Sequence, residues 1–348
     1  MNKNQLNSIL IFYIVAICGM AMVVISKNVL PSKYFIDSQT IREYYTIATS
    51  ANFDITGGFY YTALFYKILG FQHLNSSIME GLLNYLIYIA CIVSIFKYIN
   101  FNFSKIGVIL FVLWNTLAAV YLGQLTKEII LLIVITFQLR SIIKNKKMSI
   151  FISFLLLGLY AYFFRTYWFL IIFLACVLYI VFRINKSFNK RTKGLIILSS
   201  MLVIVLILNS TGTYITDSRT QVNEIIDSNT QINNLLVNTS FITDILNWCC
   251  AWLILIFPVP LIFKGGVQHF LFFILDVMTV GTLILNMRNK ALINSKQKSV
   301  LWSLSLIISF SLVQGAFEPD YGSYVKHQVI LIPLYFYTIS FKKNKSSR

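Results

Sequence analysis

The sequence predicts an all-α polytopic integral membrane protein with about ten transmembrane helices, both termini cytoplasmic, and re-entrant or interfacial helices on the outer face. Three observations carry that expectation. Of 348 residues, 57% are hydrophobic and only 12% charged, about half the charged fraction of a soluble domain. The apolar residues come in runs of roughly 17 to 25, the length a helix needs to cross a hydrocarbon layer. The Lys and Arg residues gather in loops that fall on one side of a ten-helix thread, as the positive-inside rule requires.

The runs lie near 7–26, 79–97, 106–124, 127–143, 148–164, 166–183, 194–210, 267–286, 299–316 and 326–341. The first has a short basic flank like a signal peptide, but its apolar run exceeds a cleavable core, so it reads as an uncleaved anchor. Basic clusters around Lys97 and Lys105, Arg140 to Lys147, Arg183 to Lys193, Arg288 to Lys298 and Lys342 to Arg348 mark the cytoplasmic loops. None of those loops holds an acid: eleven of the 12 Asp and Glu fall on the opposite side or at its boundary, and the twelfth, Asp276, is inside a span. A charge there is expensive enough to call for a partner.

Two further apolar stretches do not fit this thread as crossings. Segment 245–263 is long enough, but a crossing there would put the basic 288–298 loop outside. Its Phe257-Pro258-Val259-Pro260 break and Lys264-Gly265-Gly266 turn suit a re-entrant hairpin on the outer face. Segment 56–71, with Gly57-Gly58, several tyrosines and Lys67, is read the same way. The chain is then one membrane domain, 1–348, with a first periplasmic loop over 27–78, a second over 211–266, and a short one over 317–327.

The net charge of +17 would suggest nucleic acid in a soluble protein. Here it describes the cytoplasmic loops instead, and no nucleic-acid partner is expected. Cys18, Cys91, Cys176, Cys249 and Cys250 lie in apolar stretches without metal-ligand spacing, so neither a disulfide framework nor a metal site is indicated. No Walker or dinucleotide-binding signature occurs. No internal repeat is visible either, which argues against the duplicated halves of many transporters.

Every cluster able to carry chemistry therefore lies on the outer side. The densest is Glu318-Pro319-Asp320-Tyr321-Gly322-Ser323-Tyr324-Val325-Lys326-His327, which places two acids, a lysine and a histidine between two apolar runs. An imidazole titrating near neutrality can take a proton from a hydroxyl, and Asp320 could do the same or orient it. In Thr126-Lys127-Glu128, a lysine at a helix start faces an anionic group while Glu128 orients it. In Phe163-Phe164-Arg165-Thr166-Tyr167-Trp168, the single Arg165 fork matches phosphate oxygens and the flanking Tyr167 and Trp168 can stack on sugar rings. The first loop adds Lys33 to Asp37 and Arg42. The second adds Arg219 beside Asp217, Glu224 and Asp227 in a solvated amphipathic helix.

The order of these features resembles the Wzy-type O-antigen and capsular polysaccharide polymerases. The residues that carry the likeness are Lys33-Tyr34-Phe35-Ile36-Asp37, Thr126-Lys127-Glu128, the Arg165 turn, and Glu318 to Ser323 followed by Lys326-His327. The resemblance implies glycosyl transfer between undecaprenyl-diphosphate-linked oligosaccharide repeat units at the periplasmic face of a bacterial inner membrane. It also implies a flippase and a chain-length regulator as partners and no cofactor. Asp320, His327 and Glu318 would then be catalytic. Arg165, Lys127, Arg42, Arg219 and Lys326 would hold diphosphate, and Tyr167, Trp168, Tyr321 and Tyr324 would contact glycan. An O-antigen ligase and a lipid-linked glycan flippase are the competing expectations.

Overall fold

A computed structural model describes residues 3–47, 57–74, 76–96, 98–99, 105–183, 214–225, 230–288 and 297–340. Among the described residues the regular structure is all helix, with no strand and one isolated bridge between Gln231 and Asp320. Four helical segments are long and apolar enough to cross a bilayer: Leu6–Val29, Ser77–Phe96, Val267–Leu285 and Lys298–Phe317. The protein is thus a helical membrane protein. The expected span over 194–210, the basic residues of 184–193, part of the first loop (48–56) and Asp227 lie outside the described residues.

The chain forms two compact units, Met1–Trp168 with Val329–Lys342, and Phe169–Gln328 with Lys343–Arg348. The first contains α1 (Lys3–Val29), α2 (Ile36–Ile47), α3 (Gly58–Ile68), α4 (Ser77–Phe96), α5 (Lys105–Tyr121), α6 (Glu128–Ile143) and α7 (Lys147–Phe163). In α4 the buried positions are Glu80, Gly81, Asn84, Tyr85, Tyr88, Cys91, Ile92 and Ile95, a helical stripe of three- and four-residue steps. Leu83, Leu86 and Val93 of the same helix stay exposed. Outward-facing apolar side chains are what a lipid-facing surface needs, and the polar members of the stripe turn inward.

Those inward polar groups join the helices. The Tyr85 hydroxyl donates to Asn115 Oδ1 at 2.9 Å and approaches the Ala16 carbonyl at 3.2 Å, while Asn115 Nδ2 donates to the Val15 carbonyl at 3.0 Å. These bonds tie α1, α4 and α5 together. A Cβ at Gly19 would overlap the Tyr85 hydroxyl, so this close approach requires glycine. A second set joins α3, α4 and the turn before α6. The Tyr66 hydroxyl donates to the Thr126 carbonyl at 2.9 Å, and Asn84 Nδ2 donates to Tyr66 Oη at 2.9 Å and to the Gln124 carbonyl at 2.6 Å.

In the second unit lie α8 (Trp168–Arg183, from Phe169), α9 (Asp217–Ile225), α10 (Phe241–Ile256), α11 (Val259–Phe263), α12 (Val267–Arg288), α13 (Lys298–Phe317) and α14 (Tyr321–Gln328). A capping box starts α10, the Ser240 hydroxyl accepting from the Thr243 amide. Pro258 ends that helix, and Gly265 and Gly266, at φ of 70° and 93°, turn the chain into α12. The expected break within 245–263 is therefore present. Helix α13 is buried over most of its length, its Ser303 and Ser305 hydroxyls bonded to carbonyls one turn back. It packs on α10 through Trp248 Nε1 to the Leu312 carbonyl and Trp252 Nε1 to Ser311 Oγ, both 2.8 Å.

The expected helix over 326–341 is not continuous. After α14 comes a 3-10 turn, Val329–Leu331, and then α15 (Ile332–Ser340), which belongs to the first unit and packs on α4 and α5. Pro333 gives the reason. It has no N–H to offer the Val329 carbonyl, and its ring crowds that carbonyl, so one α-helix cannot run through.

Among the described glycines of the second unit the closest fit is Gly315 against Trp252, where an added Cβ would stand 2.8 Å from the Trp252 Cβ. Gly315→Val is expected to cost about 1–3 kcal/mol by overpacking. Thermal unfolding of the detergent-purified protein measures this, and a wild-type midpoint would contradict the described α10 and α13 contact.

Candidate functional site

In the first unit, Glu128 opens α6. A carboxylate there meets the positive end of the helix dipole. Thr126 supports it twice, its hydroxyl donating to Glu128 Oε2 and accepting from the Glu128 amide. The other oxygen, Oε1, pairs with Arg165 Nη2. Glu128 thus pairs with Arg165, and Lys127 Nζ makes a cation–π contact over Phe59 at 3.9 Å.

Arg165 lies in the turn after α7, where the sequence places a lone charge between two apolar helices. Its Nη1 donates to Tyr167 Oη at 2.6 Å. The Arg165 side chain keeps 12% exposure and Glu128 2%. This is a buried carboxylate holding a guanidinium that still meets the surface. Tyr167 lies beside it half-buried, whereas Trp168 is buried, which takes its ring away from a ligand at the surface. Phe163 and Phe164 pack edge-on against Tyr61 of α3 and so fix the turn.

A second ion pair in this unit joins Arg42 of α2 to Glu80 of α4, with Nε to Oε2 at 3.1 Å. Arg42 remains 38% exposed and Glu80 is buried. Lys27 at the end of α1 donates to the Ser77 carbonyl at the same helix start. Glu80 was not singled out in the sequence because it stands at the edge of an apolar run.

In the second unit, the turn from α13 into α14 holds the acid-rich stretch. Asp320 is the N-cap of α14, its Oδ1 accepting from the Ser323 amide at 2.9 Å. Burial pushes its carboxyl above the usual range, opposed by the amide bonds. The turn is clamped to the upstream loop by two backbone bonds, Ile232 N to the Pro319 carbonyl at 2.8 Å and Tyr321 N to the Thr230 carbonyl at 3.2 Å. Glu318 is buried and its Oε2 lies 3.0 Å from His327 Nδ1. Among the described residues, Glu318 Oε1 has no hydrogen-bond partner.

The pairing answers a question of geometry: Glu318 orients His327, and Asp320 holds the helix. A carboxylate accepting from Nδ1 selects the tautomer whose lone pair is on Nε2. Lys326 is half-buried next to His327. Tyr321 and Tyr324 are both buried on the inner face of α14, so they support the turn from within and do not offer rings at the surface.

Arg219 is on the expected helix, α9, but fully buried. It donates to the Gly315 carbonyl at 3.0 Å and to Asn234 Oδ1. Burial lowers its guanidinium to about 10, with Asp244 acting in the opposite sense. Asp244 accepts from the Ile215 and Thr216 amides and from the Thr216 hydroxyl at 2.7, 3.1 and 2.8 Å. Together these residues brace the Asn-rich loop against α13, a role that the expected solvated helix did not foresee.

Removing one partner of a buried ion pair leaves the other uncompensated, which typically costs 3–5 kcal/mol. Glu128→Gln should therefore destabilise the protein by about that much, and pairing it with Arg165→Met should recover most of the loss. Chemical unfolding of the two single variants and the double variant measures this coupling, and additive losses would contradict it. No known family model, no curated protein and no solved structure matches this chain.

Proposed function

We propose that this protein is a polysaccharide polymerase. It joins undecaprenyl-diphosphate-linked oligosaccharide repeat units by glycosyl transfer at the periplasmic face of a bacterial inner membrane. In this reading the chain has ten spans with both termini cytoplasmic, 56–71 and 245–263 dip into the outer face, and all the ionic clusters described above lie outside. Substrates there arrive already activated on a lipid carrier, since cytosolic nucleotides are out of reach.

The observation that carries the reading is the Glu318 and His327 hydrogen bond at 3.0 Å in a turn between apolar segments. Glu318 fixes the imidazole, and His327 Nε2 takes the proton from an acceptor sugar hydroxyl. The hydroxyl oxygen forms its bond to the anomeric carbon of the donor chain as the bond from that carbon to the diphosphate breaks. The electron pair leaves with the diphosphate. Cations neutralise that charge as it develops. Lys326, next to His327, is the proposed diphosphate contact at this turn; in the first unit Arg165 and Lys127, with Arg42 assisting, are proposed to take a lipid-linked diphosphate there, with Tyr167 against a sugar ring. Arg219, buried and bonded, acts by holding the loop.

His327→Ala should lower polymer formation by about 10²- to 10⁴-fold, the usual worth of a general base. Glu318→Gln should lower it in the same direction, and Asp320→Asn, an equally good cap, should leave chain length unchanged. Gel analysis of the host's surface glycan reads all three, with membrane levels of each variant checked in parallel. Normal chain length in His327→Ala would remove that residue from catalysis. Deleting the protein should leave glycan capped at one repeat unit. Lipid-linked polymer accumulating with none transferred would replace the polymerase by a ligase.

A further inference from the structure

The reaction above makes no use of the break between α10 and α12. Pro258 has no N–H to continue α10, so the chain passes into the short α11 and then into the Lys264-Gly265-Gly266 turn. Beside this break runs a groove of about 670 Å³, within the roughly 300–1,000 Å³ of ligand sites. Leu253, Ile254 and Phe257 line it from the end of α10, and Val259, Pro260 and Phe263 from α11. Leu253, Phe257, Val259 and Phe263 are exposed, so the groove opens to the surface. Its one charged lining residue is Lys264, which follows α11 directly.

Lys264 stands just before Val267–Leu285, the part of α12 that is long and apolar enough to cross a bilayer. A basic residue at such a place lies at the level of the lipid headgroups, with its stem along apolar surface. Over residues 245–275 it is the only Lys or Arg, and no Asp or Glu occurs there. Its Nζ reaches the Gln231 carbonyl at 3.4 Å, a long bond for an ammonium that has three N–H groups to place. The first amides of α12 have no carbonyl partner within their own helix, and they add partial positive charge at the same turn.

In a bilayer an apolar groove selects nothing by itself, because lipid tails are as apolar as the side chains that line it. Selection has to come from the headgroup. The single cation here is matched by the single negative charge of a phosphodiester, whereas a diphosphate brings more charge than one ammonium can balance. We propose that this groove is a binding site for one anionic glycerophospholipid, with an acyl chain along Phe257 and Phe263 and the phosphate at Lys264 Nζ. The site does not rest on the polymerase reading, because Lys264 takes no part in that reaction and binding is measured without turnover.

The test is native mass spectrometry of the full-length protein, released from detergent micelles that hold dioleoyl phosphatidylglycerol or dioleoyl phosphatidylcholine, lipids with the same chains. Wild type should keep one phosphatidylglycerol, bound about fivefold more tightly than phosphatidylcholine, the usual worth of one lysine at a lipid phosphate. Lys264→Gln should bring phosphatidylglycerol down to the phosphatidylcholine level, and Lys264→Arg should keep the preference. Val259→Trp, which fills the groove from an exposed position, should weaken both lipids with Lys264 intact. Leu253→Trp takes its place if the thermal midpoint of that variant departs from wild type. Equal retention of the two lipids by wild type, or an undiminished preference in Lys264→Gln, overturns the proposal. Undiminished binding in the groove variant overturns it as well, since only a headgroup would then be held. Undecaprenyl phosphate is the competing arm. If it displaces phosphatidylglycerol at a lower concentration than the phospholipid itself needs, the groove belongs to a prenyl phosphate and the phospholipid assignment falls.

Discussion

In an apolar helical protein, each polar group turned inward must find its partner within the protein, because lipid offers none. Among the described residues a few side chains meet much of that constraint, although some buried polar atoms, Tyr88 Oη and Glu318 Oε1 among them, have no hydrogen bond. Tyr85 and Asn115 join three helices, and Tyr66 and Asn84 join two more elements to the turn before α6. Such bonds supply direction where apolar contact is non-directional, and they fix the register in which α4 meets α5. The ion pair of Glu128 and Arg165 rests on that frame, since Tyr66 holds both the amide and the carbonyl of Thr126, and Thr126 holds Glu128.

The same constraint explains the contrast between the two arginines that sequence reasoning grouped together. Arg165 has a buried carboxylate partner and meets the surface. Arg219 has carbonyl and amide acceptors and does not. A guanidinium presents five N–H donors in a plane, so it can serve as a ligand contact in one place and as a brace in another. The surroundings decide which.

Much of the helix pattern was legible in the sequence, because apolar runs are long and their period is strong. The helices α1, α4 to α8, α12 and α13 begin and end within a few residues of the expected runs. What escaped was decided by single residues within a run. Pro333 divides the last apolar stretch, and its effect is local and was readable. The Glu318 and His327 contact was not, because nine residues separate them and a turn, not a helical face, brings them together. The same holds for Glu80 with Arg42 and for Asp244 with the amides of Ile215 and Thr216. Those pairs are products of tertiary packing, and no spacing rule encodes them. Trp168, Tyr321 and Tyr324 were read as surface rings from their charged neighbours, yet an amphipathic turn buries one side of itself.

The clamp between the Asn-rich loop and the turn at Asp320 deserves a mechanical reading. Two backbone hydrogen bonds on either side of Asp320 leave α14 little freedom to slide at its first residue. The loop that supplies them is itself braced by Arg219 and by Asn247, which bonds both the amide and the carbonyl of Leu236. The imidazole at the far end of α14 is thereby indexed to a segment far upstream in the chain, like a pointer fixed to a dial. Substitutions in that loop that never touch His327 would still re-aim it, so the loop is a tuning element for the turn as well as its cover.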